Sequence, residues 1–218
     1  RIAITVDEVI ALLNQHNVAP PQLVELVESG DAHCKGSGDC TPPGGETIPN
    51  HDLLALRISN EAIAGTSQIS GSTIVSGTKP VFFLMAALHS RELTTAEVAL
   101  FHIDWLLDGY GVDPQATWLV DHHEIWVIPI ANPDGRWLVQ LGEEAPYNQG
   151  PFLQRKNANR LNNTTNGTFC GAWPPSSGNQ YGVDLNRNHS FEWGCASTSS
   201  ALCSTIYRGR QAGSEPEV

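Results

Sequence analysis

The chain has 218 residues, of which 40% are hydrophobic, and a formal net charge of −11. This length and apolar content fit a single globular domain over residues 1–218, with room for a large core. Nucleic acids and anionic membranes select clustered lysine and arginine, and no apolar run is long enough for a transmembrane helix, so we predict no nucleic-acid and no membrane partner.

The amino-terminal region is predicted to hold two short helices. Thr5-Val-Asp7 is typical of a helix start, and this helix should run to about Gln15. Pro20-Pro21 predicts the start of a second helix, which Gly30 should end. Residues 31–51 are rich in glycine and proline and hold two cysteines, which indicates a surface loop closed by a disulfide.

Two strands are predicted next. Leu53–Ser59 should form the first, and the polar stretch that continues to Lys79 indicates a hairpin or a long connection. The eight apolar residues of Val81–Leu88 are too few to span a membrane. They are typical of a strand buried on both faces, as in the middle of a parallel sheet.

Two helices should follow this strand. Apolar residues recur at spacings of three and four from Leu93 to Leu107, which predicts a helix packed against the sheet and ended by Gly109. Asp113-Pro114 then predicts the start of a short helix that runs to about Asp121.

A second buried strand is predicted at Glu124–Ile130, followed by Asn132-Pro-Asp-Gly135, which has the composition of a turn. The order of strand, helix and strand is that of a βαβ unit. The sequence therefore predicts an α/β fold.

The five cysteines lie mostly in segments rich in glycine, serine and threonine and show no paired Cys-x-x-Cys zinc spacing. Loop disulfides fit this distribution, and they indicate an oxidising compartment and hence a secreted protein. The local pairs are Cys34 with Cys40 and Cys195 with Cys203, which would leave Cys170 unpaired, although the sequence does not fix the connectivity.

A candidate metal-binding pair lies directly after the Val81–Leu88 strand, at His89-Ser-Arg-Glu92. Ligands of open α/β sheets bind outside the carboxyl ends of strands, and a histidine and a glutamate three residues apart share one face if the chain turns into a helix there. His189-Ser-Phe-Glu192 has the same spacing without that context. We therefore expect His189 and Glu192 to be structural.

Further motifs follow in order along the chain: Asn132-Pro-Asp-Gly135, Arg155-Lys-Asn157, Asp184-Leu-Asn-Arg-Asn188, Trp193-Gly194 and Tyr207-Arg-Gly209. Together with His89-Ser-Arg-Glu92 they make residues 53–218 resemble the zinc carboxypeptidase family, in its secreted carboxypeptidase A and T branch. The resemblance implies a mixed, largely parallel central sheet flanked by helices. It also implies one Zn²⁺ per domain.

The resemblance implies a role for each matched side chain near the metal. His89 and Glu92 look like two of the zinc ligands, and Asp184 looks like the carboxylate that orients a ligand histidine through its other ring nitrogen. Arg155 looks like the residue that stabilises the oxyanion formed from the scissile carbonyl. Without the resemblance, an Arg-Lys pair in a polar loop would more often be a solvated surface.

Three further residues resemble the family's substrate-binding groups. Asn186 and Arg187 match the pair that clamps the terminal carboxylate of a substrate, for which the forked guanidinium is well suited. Arg91 resembles the arginine that holds the next substrate residue. The implied substrate is a peptide or protein with a free C-terminal carboxylate.

The family's third zinc ligand, a histidine, and its general base, a glutamate, have no counterpart before Val218. Ser214-Glu-Pro-Glu217 has the form of a capping box at the start of a helix. We therefore expect the chain to be the amino-terminal portion of a larger catalytic domain, incomplete at the carboxyl end, with the remaining portion as its partner.

The expected function is that of a secreted zinc carboxypeptidase, which hydrolyses the C-terminal peptide bond by attack of zinc-activated water. One alternative is a zinc deacylase of the aspartoacylase type, which shares His-x-x-Glu and an Asp-x-Asn-Arg run. Another is a catalytically silent relative that only binds C-termini. The Arg155-Lys block and the cysteine-containing loops favour the peptidase.

Overall fold

The structure is a computed structural model that describes residues 4–17, 23–37, 40–70, 73–160, 164–165, 168–170, 173–178 and 180–218. The helices are α1 (Val6–His16), α2 (His33–Ser37), α3 (Thr94–Gly109), α4 (Pro114–His122) and α5 (Pro133–Gln140), with 3₁₀ turns at Leu141–Glu143 and Leu185–Arg187. The strands are β1 (Val24–Asp31), β2 (Asp52–Ile58), β3 (Gln68–Ser70), β4 (Thr73–Val75), β5 (Val81–Met85), β6 (Glu124–Ile128), β7 (Thr164–Thr165) and β8 (Thr168–Phe169).

The central sheet has four strands in the order β1-β2-β6-β5. β5 pairs with β6 in parallel, whereas β1 with β2 and β2 with β6 pair antiparallel. The mixed α/β class is confirmed, and within these four strands the parallel share is one pairing in three. The predicted βαβ unit is also confirmed, since β5 leads through α3 and α4 into its parallel neighbour β6.

The helices predicted from local spacing form where expected. α1 begins with a capping box, in which Thr5 accepts from the Glu8 backbone and the Glu8 side chain accepts from the Thr5 backbone. α4 begins at the Asp113 side chain, which accepts from the next two free backbone N–H groups. α3 packs its buried alanine, leucine and isoleucine side chains into the main core, which also contains side chains of the sheet and of α1.

Residues 24–31 form a strand, so the predicted helix in this segment is wrong. The run Val24-Glu-Leu-Val27 suits either a helix or a strand, and pairing with β2 decides for the strand, with Val24 opposite Ile58 and Val27 opposite Ala55. Pro20-Pro21, the predicted helix start, lies outside the described residues.

The expected burial of the Val81–Leu88 strand on both faces is not observed. β5 ends at Met85 and lies at the edge of the four-stranded sheet, because β6 covers one side of it only. Val81, Phe82 and Phe83 are 61%, 49% and 55% exposed.

Asn132-Pro-Asp-Gly135 begins a helix, α5, and so is not a simple turn after β6. The Asn132 side chain accepts a hydrogen bond from the Gly135 N–H, and Pro133 takes the first helical position. The fully buried Asp134 accepts from the Cys34 N–H, and its carboxylate lies 2.8 Å from Nδ1 of His51.

Two disulfides are present, Cys34–Cys40 and Cys170–Cys203, so one predicted local pair is confirmed and the other is wrong. Cys195 is the exposed free thiol. The fold brings Cys170, 33 residues away in sequence, to Cys203. Cys195 instead sits in its own turn, closed by its N–H to the Glu192 carbonyl.

The described residues between positions 144 and 218 contain little regular structure and are held by buried polar groups. Asn157 accepts from the Val183 N–H at 2.8 Å and donates to Glu215 at 2.7 Å. The expected helix start at Ser214-Glu-Pro-Glu217 is a turn, in which Glu215 and Glu217 are buried and face Asn157. Across the described ranges we find no helix long and apolar enough to cross a membrane.

Candidate metal centre and substrate-binding residues

His89 and Glu92 lie beyond the carboxyl end of β5, as predicted, and their side chains meet. His89 Nδ1 is 2.9 Å from a Glu92 carboxylate oxygen. A turn holds them, with the Glu92 N–H donating to the His89 carbonyl at 3.0 Å, and the helix α3 begins only at Thr94. The imidazole is nearly buried, whereas the Glu92 side chain is 49% exposed.

Asp184 binds the other nitrogen of the same ring. Its Oδ1 lies 3.2 Å from His89 Nε2, and the residue is fully buried. A proton on Nε2 that is directed at this carboxylate leaves Nδ1 as the ring nitrogen that can bind a cation beside Glu92. Two further hydrogen bonds fix Asp184. Its N–H donates to the Tyr207 carbonyl, and its Oδ1 accepts from the Asn186 N–H.

Arg155 lies on the far oxygen of the same carboxylate. Its Nε and Nη2 donate to Asp184 Oδ2 at 3.2 and 3.0 Å. Burial raises the pKa of Asp184, but the hydrogen bond from His89 and the charge of Arg155 outweigh it, and the pKa is lower than usual. Asp184 is therefore a carboxylate at neutral pH, and His89, Glu92, Asp184 and Arg155 form one contiguous network.

Asn186 and Arg187 follow Asp184 in the 3₁₀ turn. Arg187 Nε donates to the Ser197 carbonyl at 2.7 Å, and Nη1 donates to the Asn186 carbonyl at 2.8 Å. Both residues line an open cavity of about 250 Å³. Arg91 is half-buried, with Nη1 at 3.5 Å from the Leu153 carbonyl.

His189 and Glu192 are exposed and line the cavity beside Arg187. Within the described ranges, no hydrogen bond or ion pair joins either side chain to His89 or Asp184. The turn at Glu192 has a positive φ of 46°.

Two residues inside the motifs support the site through contacts that the motifs do not predict. Ser90, between the two candidate ligands, donates through Oγ to the Gln154 carbonyl at 2.9 Å. Lys156 is fully buried rather than solvated, with Nζ at 3.0 Å from the Leu202 and Ser204 carbonyls. Burial lowers the pKa of Lys156 to about 7. Only the tertiary structure shows these contacts.

The donor set of the network fits zinc. An imidazole nitrogen and a carboxylate oxygen are ordinary zinc ligands, and the carboxylate on the second ring nitrogen fixes the required tautomer. A catalytic zinc ordinarily has three protein ligands, and this network supplies two. In a second group of buried residues, Cys34, Cys40 and Asp134, the possible ligand atoms lie within 4.8 Å of one another. The two sulfurs of this group form a disulfide.

The chain is similar in sequence to known proteins. A family model described as "Zinc carboxypeptidase" matches residues 43–218. Metallocarboxypeptidase A of Arthroderma otae is 32% identical over 140 residues, which are 64% of this chain and 28% of that protein. Carboxypeptidase A2 of Mus musculus is 32% identical over 142 residues, which are 65% of this chain and 29% of that protein.

The fold is likewise similar to solved structures. Carboxypeptidase A from Helicoverpa armigera superposes with a TM-score of 0.65 and 27% identity, covering 99% of this chain and 40% of that chain. Thrombin activatable fibrinolysis inhibitor superposes with a TM-score of 0.68 and 21% identity, over 99% of this chain and 41% of that chain, a similarity of fold alone. The chain thus spans less than a third of the length of these curated relatives.

Proposed function

This chain belongs to the zinc carboxypeptidase family, and on that premise we propose that it forms part of the catalytic domain of a secreted zinc-dependent carboxypeptidase. The observation that carries the proposal is the network of Glu92, His89, Asp184 and Arg155. In this network an imidazole lies within hydrogen-bond distance of two carboxylates, one of which also accepts from a guanidinium, and this donor set supports a metal centre. The substrate would be a peptide or protein with a free C-terminal carboxylate.

The residues of this chain have distinct tasks in the proposed reaction. His89 Nδ1 and Glu92 would hold one Zn²⁺, and a bound zinc ion supplies an activated water and polarisation of the scissile carbonyl. Asp184 holds the His89 ring and its proton in place. Arg155 stabilises the negative charge that develops on the carbonyl oxygen, a contribution of several kcal/mol when such a donor is preorganised.

The carboxylate clamp makes the proposed enzyme an exopeptidase. Arg187 would pair with the substrate's terminal carboxylate together with Asn186, and Arg91 would hold the preceding part of the substrate. The open cavity beside Asn186 and Arg187 supports this assignment, because a substrate end can reach both side chains. In this structure Arg187 donates to the Ser197 carbonyl, so binding would exchange that contact for the carboxylate.

The third zinc ligand and the general base belong, on this proposal, to a further portion of the same domain. An apolar cavity of about 350 Å³ beside Glu92 supports it, together with the free edge of β5. Phe82 and Phe83 on β5, and Val98 and Phe101 on α3, are 49–73% exposed. Exposed apolar side chains beside an unpaired strand edge are typical of a surface that another element covers.

Secretion is supported by the two disulfides, which persist in oxidising compartments. A deacylase or a silent binding protein would not require both a clamp for a terminal carboxylate and a guanidinium at the scissile carbonyl. The proposal therefore separates from both alternatives through activity on peptides.

Metal content is the first test. The complete protein should contain one zinc per domain by mass spectrometry, and His89→Ala should reduce zinc affinity by more than about 100-fold, beyond the loss typical of an orienting partner. His189→Ala is the matched control, since His189 has the same spacing to a glutamate outside the network, and it should retain zinc. Equal losses from the two substitutions would contradict the assigned metal centre.

The second test compares substrates. Peptides with a free C-terminal carboxylate should be shortened by one residue, and their amidated counterparts should be cleaved far more slowly because Arg187 has lost its partner. Equal cleavage of both peptides would overturn the exopeptidase assignment and the clamp with it.

A further inference from the structure

Gln180 closes on the backbone of Arg155 through both ends of its side-chain amide. Its Oε1 accepts a hydrogen bond from the Arg155 N–H at 2.9 Å, and its Nε2 donates to the Leu153 carbonyl at 2.6 Å. Nε2 also donates to the Ser176 carbonyl. Gln180 is 1% exposed. Its amide thus binds the segment 153–155 as a neighbouring strand would, with one donor and one acceptor.

The Arg155 backbone is held from the opposite direction as well. Its carbonyl accepts from the Ser90 N–H at 3.2 Å, and Ser90 lies between the two candidate zinc ligands. The Gln180 N–H donates to the Cys203 carbonyl at 3.0 Å, which anchors the glutamine to a disulfide-linked segment. Gln180 therefore connects the segment 153–155 to the segment that contains Cys203.

We propose that Gln180 is a positioning residue for Arg155, and this inference rests on the proposed function. The Asp184 contacts of Arg155 use Nε and Nη2, near the end of a long side chain. A shift of the Arg155 backbone would move that end relative to both Asp184 and the scissile carbonyl. Preorganised donors act only when held in place, so a displacement of about 1 Å can lower the rate by about 100-fold.

The first readout needs neither zinc nor peptidase activity. Gln180→Met keeps the length of the side chain and removes both polar ends, so the buried Arg155 N–H loses its acceptor. Amide hydrogen exchange of Arg155, followed by NMR, should become at least about 10-fold faster. Gln180→Glu keeps an oxygen for that N–H and should retain its protection, and it serves also if Gln180→Met does not fold. Unchanged Arg155 exchange in Gln180→Met, or lost protection in Gln180→Glu, would overturn the proposal.

The second readout is kinetic and uses the complete enzyme. Gln180→Met should lower kcat by about 10- to 100-fold with little change in KM, since Arg155 acts on charge that develops during attack. Gln154→Met is the matched control: Gln154 is equally buried and binds the Lys156, Asn157 and Tyr181 carbonyls, not the Arg155 N–H. It should lower stability with less than about a 3-fold change in kcat.

A double-mutant cycle separates positioning from general destabilisation. In an Arg155→Ala background, Gln180→Met should cost no further kcat, because the group it positions is gone. An equal loss in both backgrounds, or a loss from Gln154→Met as large as that from Gln180→Met, would overturn the assignment. If Arg155 exchange is faster in Gln180→Met but the complete unmutated protein cleaves no peptide, the positioning role of Gln180 stands and the proposed function is rejected.

Discussion

The candidate metal centre has two sides that differ in how they are held. On the Asp184 side the polar groups are buried and paired, with Asp184, Asn157 and Gln180 at 0–1% exposure. On the Glu92 side the carboxylate is 49% exposed and borders an open apolar cavity at the free edge of β5. The chain thus fixes the His89 ring and Arg155 by its own contacts, and the open side is where further ligands can enter.

Kinetics of the complete enzyme should show the largest effect on the buried side. Arg155→Ala should lower kcat by on the order of 10²–10³, as removal of an oxyanion donor does elsewhere. Arg187→Ala should instead raise KM strongly, because the terminal carboxylate is bound in both the ground state and the transition state. Steady-state rates on one free-acid peptide measure both. A kcat loss from Arg187→Ala with unchanged KM would reverse the two roles.

Zinc affinity should show how strongly the buried Asp184 affects metal binding at His89 and Glu92. Asp184→Asn removes the charge that orients the His89 ring, and it should weaken zinc binding by about 10- to 100-fold in a chelator competition. Asp134→Asn is the matched control, because Asp134 forms an equally buried carboxylate–histidine pair with His51. It should lower stability without changing zinc affinity, and equal losses in affinity would remove the orienting role of Asp184.

Stability of the chain should separate the same two sides. Asn157→Ala leaves the buried Val183 N–H without its acceptor and removes one of the donors to the Glu215 carboxylate, so the free energy of unfolding should fall by about 1–3 kcal/mol. Phe101→Ala, on the open apolar side at 73% exposure, should stay within about 0.5 kcal/mol. Urea denaturation measures both. A larger loss at Phe101 would show that this face is packed rather than open.

The fold could be predicted where local spacing determines structure. The Thr5-Val-Asp7 start of α1, the apolar spacing of α3 and the Asp113-Pro114 start of α4 each act within a few residues, and each prediction is confirmed. β1 could not be predicted, because the spacing of apolar residues in Val24-Glu-Leu-Val27 fits a helix as well as a strand. Only the pairing with β2 shows that the segment is a strand. The Cys170–Cys203 disulfide was not predicted for the same reason, since the two cysteines meet only in the tertiary structure.

The candidate site divides in a similar way. The candidate metal-binding pair and Asp184 belong to motifs, and the structure brings them together with Arg155. Gln180 could not be found, because a glutamine in a polar loop has no spacing that marks it, and the burial of Lys156 could not be predicted from its place in the Arg155-Lys-Asn157 motif. These residues act through backbone groups, which sequence patterns do not identify.

A further effect, measured through pH, tests whether the buried polar side is costly to maintain. Burial raises the pKa of Glu217 from 4.5 to about 8, with repulsion from Asp134 and Glu215, although the His33 N–H lowers it. The folded state therefore binds a proton that the unfolded state releases above about pH 4.5. By linkage, the contribution of Glu217 to stability is full below pH 4.5, falls as the pH rises to about 8, and is constant above that.

The pH dependence of the whole protein does not isolate this contribution, because Lys156 acts in the opposite direction. Its folded pKa of about 7 is below its ordinary value of 10.5, so its contribution to stability rises with pH between those values. The contribution of Lys156 is the same in the unmutated protein and in Glu217→Gln, so it cancels in the difference between their thermal midpoints. From pH 5 to pH 8 the thermal midpoint of Glu217→Gln should rise relative to that of the unmutated protein, by about 2–4 °C for each kcal/mol, and the difference should be constant above pH 8. A difference that is independent of pH would mean that Glu217 is ionised in the folded protein and that the buried side carries its charge.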